Sequence, residues 1–264
     1  MGANTVVFEL RGRMAHFRRI DTNSSSLTYL IPPRTTLIGI TAAILGLERD
    51  SYYDLLGPDH SWVTVSLKTK VRTIMQTVNN LLVKAPSQLS GSGGHTQVPT
   101  EIVVSTDNND WVTYRVFFAH EDGQLTDALA DRLRRSAPAF PISLGTGPMV
   151  AKVRLVDVIP HSSVQALAAG VPVSLVTPCL ISDIEKIETA GDGYSTEVVK
   201  DLMPYSFREH RTKGWNREFI YERQGLPILV RLRRQALEVT YGASAGGPVR
   251  EAIMFSEDRG FLNA

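Results

Sequence analysis

The sequence predicts an α+β fold of the ferredoxin-like kind, on three observations. Short segments alternate apolar and polar residues, the period-two signature of half-buried strands. Two other segments carry apolar residues at helical spacing. Over residues 1–159 these segments follow one another as strand, helix, strand, strand, helix, strand, the βαββαβ order. The chain has 264 residues, 43% of them apolar, enough to bury a sizeable core.

In the first segment Val6, Phe8 and Leu10 alternate with Val7, Glu9 and Arg11, which reads as a strand. A polar loop is expected from Arg18 to Leu30. Pro32-Pro33 then stops any preceding regular structure, and Thr35 or Thr36 is placed to cap a helix running to about Leu47. Gly39 inside that helix suggests close packing against a sheet, and Gly46 a C-terminal signal. The second strand, Trp62 to Lys70, puts Val63, Val65 and Leu67 on one face and Lys68 and Lys70 on the other. Residues 71–110 read as a long, irregular, hairpin-like insertion with a glycine-serine tip and a strand at Glu101 to Ser105. A third strand, Trp111 to Phe118, is followed by an amphipathic helix, Gln124 to Arg135. The Leu144-Gly145-Thr146-Gly147 loop leads into a fourth strand at Ala151 to Val158. The rest, residues 160–264, reads as a smaller β-rich region with strands at Val171 to Leu175, Phe219 to Tyr221, Ile228 to Arg233 and Ala236 to Tyr241. One helix is expected there, near Ser195 to Leu202.

Lys and Arg total 28 against 27 Asp and Glu, a net charge of +1, which excludes a uniformly basic nucleic-acid binder. Any polyanion site must come from local segregation of charge. Arg11, Arg13, Arg18, Arg19 and Arg34 form one such cluster, interleaved with His16, Phe17 and Tyr29. Guanidinium forks suit phosphates and aromatic rings suit unpaired bases. A solvated basic face is the plainer alternative, and His16 fits an ordinary packed histidine equally well. Lys68, Lys70, Arg72 and Lys84 form a second cluster, with no acidic residue between Trp62 and Lys84. Gln76 and His95 lie on the same insertion, and Gln76, Asn79 and Asn80 supply amides able to contact bases or phosphates. These residues suit either a clamp that orders on RNA or a polar edge that resists aggregation. A third cluster, Arg208, Arg211, Lys213 and Arg217, surrounds Trp215. The amides of Gly145, Thr146 and Gly147 can approach a phosphate closely, although a bare GxG also makes a tight turn.

Catalytic and metal-binding signals are thin. The six histidines show no HExxH-type spacing, so no metal site is expected. No GxSxG elbow is present. Nor does any Walker or Rossmann fingerprint mark a cofactor. His16, Tyr29, Lys70, His95 and His120 are the residue types a metal-independent ribonuclease needs, but nothing in the sequence brings them together. One cysteine, Cys179, excludes an intramolecular disulfide and fits a reducing cytoplasm. No secretory or membrane-spanning segment is read, so a cytoplasmic protein without membrane contact is expected.

Phe8-Glu9-Leu10-Arg11-Gly12, Ala15-His16-Phe17-Arg18, Leu27-Thr28-Tyr29, Pro32-Pro33-Arg34-Thr35 and Leu37-Ile38-Gly39 together resemble the CRISPR-associated protein family five, in its type I-B form. The Leu144-Gly145 turn resembles that family's glycine-rich loop. Met203-Pro204, Phe207, Phe219 to Glu222 and Gly225 to Ile228 are similar to its C-terminal region. The resemblance implies an RRM-like ferredoxin domain with residues 71–110 as a thumb. It implies a non-catalytic Cascade backbone subunit that caps the five-prime handle of the guide crRNA. Its neighbours would be the repeating backbone subunit and the large subunit, with target DNA met indirectly. One branch of the family cuts precursor repeat RNA using tyrosine, lysine and histidine. Here His120 follows Ala119, so the adjacent Lys-His pair of that branch is missing, and a metal-independent endoribonuclease is the alternative reading.

Overall fold

Strand β1 (Thr5–Gly12) sets the frame of the molecule, because its two faces differ in character. It is followed by the two-residue strands β2 (Met14–Ala15), β3 (Phe17–Arg18) and β4 (Thr28–Tyr29), helix α1 (Arg34–Leu45) and β5 (Ser61–Leu67). Next come β6 (Val71–Leu81), β7 (His95–Ser105), β8 (Val112–His120), helix α2 (Gly123–Arg134) and β9 (Ala151–Ile159). The remaining strands are β10 (Gln165–Leu167), β11 (Pro172–Leu175), β12 (Cys179–Leu180), β13 (Ile184–Ile187), β14 (Val198–Pro204), β15 (Asn216–Glu222), β16 (Ile228–Leu232), β17 (Ala236–Tyr241) and β18 (Val249–Ile253). The structure is a computed structural model that describes residues 3–107, 110–188, 197–207, 212, 214–242, 247–257 and 261–263. The fold is mixed α+β, mostly strands with two helices among the described residues.

The central sheet has the order β5-β8-β1-β9, and all its neighbouring pairs are antiparallel. On one face Val6, Phe8 and Leu10 join Val63, Val65, Tyr114, Val116 and Phe118 beneath the apolar sides of α1 and α2. Each such side chain contributes about 1.5–3 kcal/mol by leaving water. Helix α2 is capped by Asp122, whose carboxylate accepts from the Gln124 amide at 2.9 Å, and it carries Arg132 and Arg134 in its last turn. Helix α1 ends on Gly46 in the left-handed conformation, as expected. Its start differs from expectation. Pro33 is the N-cap, so Thr35 and Thr36 lie inside the first turn rather than capping it. Gly39 packs against the Tyr52 hydroxyl, not the sheet.

The other face of the central sheet is covered at one end only. Val7, Trp62, Phe117 and Ala119 pack there against Val239, Tyr241, Ile253 and Phe255 from the sheet ordered β10-β17-β18-β11-β16-β13. Two large aromatic residues on that face, Trp62 and Phe117, demand burial, and the C-terminal strands provide it. The expected helix near Ser195 to Leu202 is corrected. Residues 198–204 form β14, paired in register with β15. Asp201 and Met203 are buried while Lys200 and Leu202 are exposed, a period-two pattern that overrides helical propensity. Ser195 lies outside the described residues.

Residues 71–105 are more regular than their composition suggests. β6 and β7 pair along their full length, from Val71↔Ser105 to Leu81↔His95. Only the base of this hairpin is buried, through Val71, Ile102 and Val103, and the outer part projects with both faces exposed. The polar loop after Arg18 docks on that base: Ser26 N donates to Pro99 O at 2.8 Å and Glu101 N to Ser26 O at 2.9 Å. No helix among the described residues is long and apolar enough to cross a membrane.

Candidate nucleic-acid interface

A cleft of about 500 Å³ opens where the start of α1 meets the β2–β3 segment and the loop before β9. Arg18, Thr35, Thr36, Gly39, Gly145 and Thr146 line it, with Tyr52 and Phe207 among its apolar walls. Pro33 offers no side-chain cap, and the first turn holds no acidic residue. Thr36 N and Leu37 N both turn back to Pro33 O, at 2.9 and 3.1 Å. Among the described residues the earlier amides of α1 and the positive end of its dipole thus have no side-chain cap at the cleft.

The glycine loop adds a second set of donors. Leu144 N bonds Met149 O at 2.8 Å and Met149 N bonds Thr146 O at 2.9 Å, which closes the turn. Among the described residues the amides of Gly145, Thr146 and Gly147 have no acceptor. Gly145 is required where it stands: its φ is +98°, and a Cβ there would lie 1.9 Å from His16 O. His16 N in turn donates to Leu144 O at 3.0 Å, so loop and strand segment hold one another. Arg18 is exposed and forms no ion pair among the described residues. Uncapped amides, a helix N-terminus and a guanidinium converge here on one concave surface, which suits a phosphate.

Of the residues singled out from sequence, the cleft thus gathers His16, Arg18, Gly145 and Thr146, with Gly147 exposed just beyond. Several residues are corrected from surface to interior, the His16 ring among them. Arg34 is buried: its Nε donates to Glu257 Oε1 at 2.7 Å and its guanidinium lies over the Tyr205 ring at 5.3 Å. Tyr29 is buried and donates to Leu202 O at 2.6 Å, and burial pushes its phenol up. The His16 ring is buried between Glu101 O at 2.7 Å and Ser26 Oγ at 2.9 Å, so it ties the hairpin base to the strand segment. Arg19 bridges Asp201, at 2.6 Å, and Asp21 across the Tyr29 ring. Each of these cations or rings is satisfied by a partner distant in sequence.

Lys68 is spent on Glu251 at 2.5 Å, across the junction with the C-terminal sheet. Arg11 and Arg13 sit on the uncovered end of the sheet face opposite the helices, around Trp111 and away from the cleft. Lys70, Arg72, Gln76 and His95 are exposed along the hairpin. Of the cluster around Trp215, Arg208, Arg211 and Lys213 lie outside the described residues, and Arg217 stacks over Tyr205 at 4.3 Å. Among the described residues no group of three His, Cys, Asp or Glu side chains is assembled to hold a metal. Burial pushes the Cys179 thiol up to about 12, so it is not a ready nucleophile. Sequence reading missed the uncapped first turn of α1, which the Pro32-Pro33 pair signals, and missed Lys152, which alternates with Arg154 on β9.

Residues 5–218 match the family model described as CRISPR-associated protein (Cas_Cas5). Among solved structures, a CRISPR protein from Archaeoglobus fulgidus is similar with a TM-score of 0.52 at 14% identity, covering 94% of this chain and 99% of that one. A chain of a CRISPR RNA-guided surveillance complex aligns with a TM-score of 0.47 at 19% identity, over 86% of this chain and 90% of that one. A chain of a Type III-B Cmr-beta complex bound to cognate target RNA aligns with a TM-score of 0.48 at 11% identity, over 86% of each. No curated protein sequence matches the chain.

Proposed function

The chain belongs to the CRISPR-associated Cas5 family, and on that premise we propose that it is a non-catalytic subunit of a type I CRISPR effector, of the type I-B kind. In this reading it holds the five-prime handle of the guide crRNA in the cleft beside α1. One observation carries the reading: the unbonded amides of the Gly145 loop, the uncapped start of α1 and Arg18 face one concave surface. Phosphates position a strand there, while Tyr52 and Phe207 offer apolar walls to unstacked bases. The strand order β5-β8-β1-β9, with both helices on one face, supports a ferredoxin-like, RRM-like domain ending near Ile159. Residues 160–264 then form the smaller β-rich region, and the hairpin of residues 71–105 serves as the thumb. Its exposed Lys70, Arg72, Gln76 and His95 are placed to follow the strand out of the cleft or to meet the repeating backbone subunit. The large subunit and target DNA complete the cytoplasmic assembly.

A non-catalytic role is favoured over repeat-RNA cleavage because three of the five acid–base candidates, His16, Tyr29 and His120, are held in internal hydrogen bonds, while Lys70 and His95 stand exposed on the hairpin. The His16 ring is held as described, and His120 Nε2 lies 2.8 Å from Leu55 O while its other nitrogen accepts from the Asp122 amide. The Tyr29 hydroxyl is bound to a main-chain carbonyl. The full chain should bind single-stranded RNA carrying the handle, and Arg18→Glu should weaken that binding about tenfold or more without moving the unfolding midpoint. Unchanged affinity would remove the cleft from the reading. A discrete product on incubation with repeat RNA in EDTA would replace it with the nuclease.

A further inference from the structure

On the sheet face opposite the helices, beyond the part covered by the C-terminal strands, Trp111 gathers three cations. The charged groups of Arg13, Lys152 and Arg11 lie 4.8, 5.3 and 5.8 Å from its ring centroid. Arg11 and Lys152 are direct partners across β1 and β9. One step along the same face, Arg154 shares Glu9 with Arg115, at 2.9 and 2.5 Å. Burial pushes the Glu9 carboxyl up, but the two guanidiniums together hold it below the usual carboxylate range. Among the described residues Asp107 and Asp110 precede Trp111, and Asp110 already accepts from the Trp111 amide at 2.7 Å. Among the described residues neither Arg11 nor Lys152 has a carboxylate partner, and the buried Arg11 Nε–H has no acceptor. Arg11 and Lys152, like charges against one ring, gain when an anion joins them.

We infer that this patch binds the sugar–phosphate backbone of a nucleic-acid duplex, at a surface separate from the cleft. Single strands are usually held by stacking bases on free aromatic faces. Here the one aromatic ring already has three cations against it, so the patch offers charge without a stacking platform. A duplex hides its bases and presents phosphates, which is what such a surface can take. Lys152 and Arg154 are both exposed on β9, two residues and about 7 Å apart, and set two cations in a row along an edge strand. The cleft lies beside α1, on the helix-bearing side of the sheet, so one chain can hold a single strand and a duplex at the same time. The inference stands whether or not the cleft takes guide RNA.

The test measures binding of the full chain by fluorescence anisotropy to a short DNA duplex, the matching RNA duplex and single-stranded RNA, each over a range of salt. Lys152→Glu changes an exposed side chain, and Arg11→Gln with Lys152→Gln deepens the loss; unfolding midpoints report whether each variant is folded. We expect duplex affinity to fall about tenfold or more and the salt slope to drop by about 0.9 for each phosphate contact removed. Single-stranded RNA binding should stay unchanged in these variants. Arg18→Glu should spare the duplex. The preferred duplex, DNA or RNA, identifies the source of the backbone. Unaltered duplex affinity in Lys152→Glu, or tighter binding of single-stranded RNA than of either duplex at this patch, would overturn the inference.

Discussion

Replacing Arg34 with methionine removes the central cation of the junction between α1, β5 and the C-terminal segment while keeping most of its volume. Arg34 donates to Glu257 Oε1 at 2.7 Å, Ser61 Oγ at 2.9 Å, Ser61 O at 3.2 Å and Leu56 O at 3.3 Å. Glu257 is fully enclosed, also accepts from the Val63 amide, and keeps one oxygen without a partner among the described residues. Burial pushes its carboxyl up, and Arg34 offsets that only in part. Breaking such a buried pair costs about 3–5 kcal/mol, because the remaining charge has no compensation. Against a total of about 5–15 kcal/mol for a folded domain, that loss is large. Urea unfolding at neutral pH should show it as a midpoint lowered by about 1 M or more. The pH dependence has a definite sign. With Arg34 gone, the folded-state Glu257 titrates further above its unfolded value, so between the two values the native state holds the extra proton. Stability of the variant therefore rises as pH falls, by up to about 1.4 kcal/mol per pH unit, and its deficit against the native chain shrinks. Arg34→Met combined with Glu257→Leu should recover all but about 1–2 kcal/mol, since no charge is then stranded. A single variant that loses under about 1 kcal/mol, or a double variant less stable than the single, would refute the reasoning.

Three further substitutions probe the cleft and the segments that border it. Gly145→Ala puts a Cβ against His16 O in a left-handed backbone; thermal unfolding should show a loss of about 2 kcal/mol or more, with handle-RNA affinity falling in parallel, whereas Gly147→Ala, open on all sides, should change neither. His16→Ala deprives Glu101 O and Ser26 Oγ of their shared partner; hydrogen exchange should quicken at the hairpin base near Ser26 and Glu101, at a cost of about 1–3 kcal/mol, and unchanged protection there would show that the ring does not anchor the hairpin.

What was legible in the sequence tracks the physical contrast between neighbouring residues. β1, β8, α2 and β17 form where their patterns predict, although β1 and β8 meet a core on both faces over much of their length. The β6–β7 hairpin has no buried face beyond its base, so alternation was faint and its regularity could be seen only in the pairing. β14 contains residues tolerant of helix, and its state is decided by β15, an element later in the chain. The same limit applies to the site. Arg34, Tyr29, Arg19 and Lys68 read as available polar groups because their partners Glu257, Leu202, Asp201 and Glu251 are more than 150 residues away. The exposure of Arg18 and the tight turn at Gly145 were legible because both are local features.

The near-neutral composition gains meaning from where the pairs fall. The most buried ion-paired carboxylates hold layers together: Glu257 with Arg34, Glu251 with Lys68, Glu9 with Arg115 and Arg154, Asp201 with Arg19. Cations without such partners among the described residues include Arg18 at the cleft, Arg11 and Lys152 around Trp111, and Lys70 and Lys84 on the hairpin. A chain of net charge +1 therefore presents separate positive tracks without a strong global field. Long-range attraction of any polyanion is weak under these conditions, since screening sets in within about 8–10 Å. Affinity must then depend on geometric fit at each track, through directed amides and guanidiniums rather than bulk charge. Charge reversal at one track should leave the other intact, which is why Arg18→Glu and Lys152→Glu are expected to fail on different ligands.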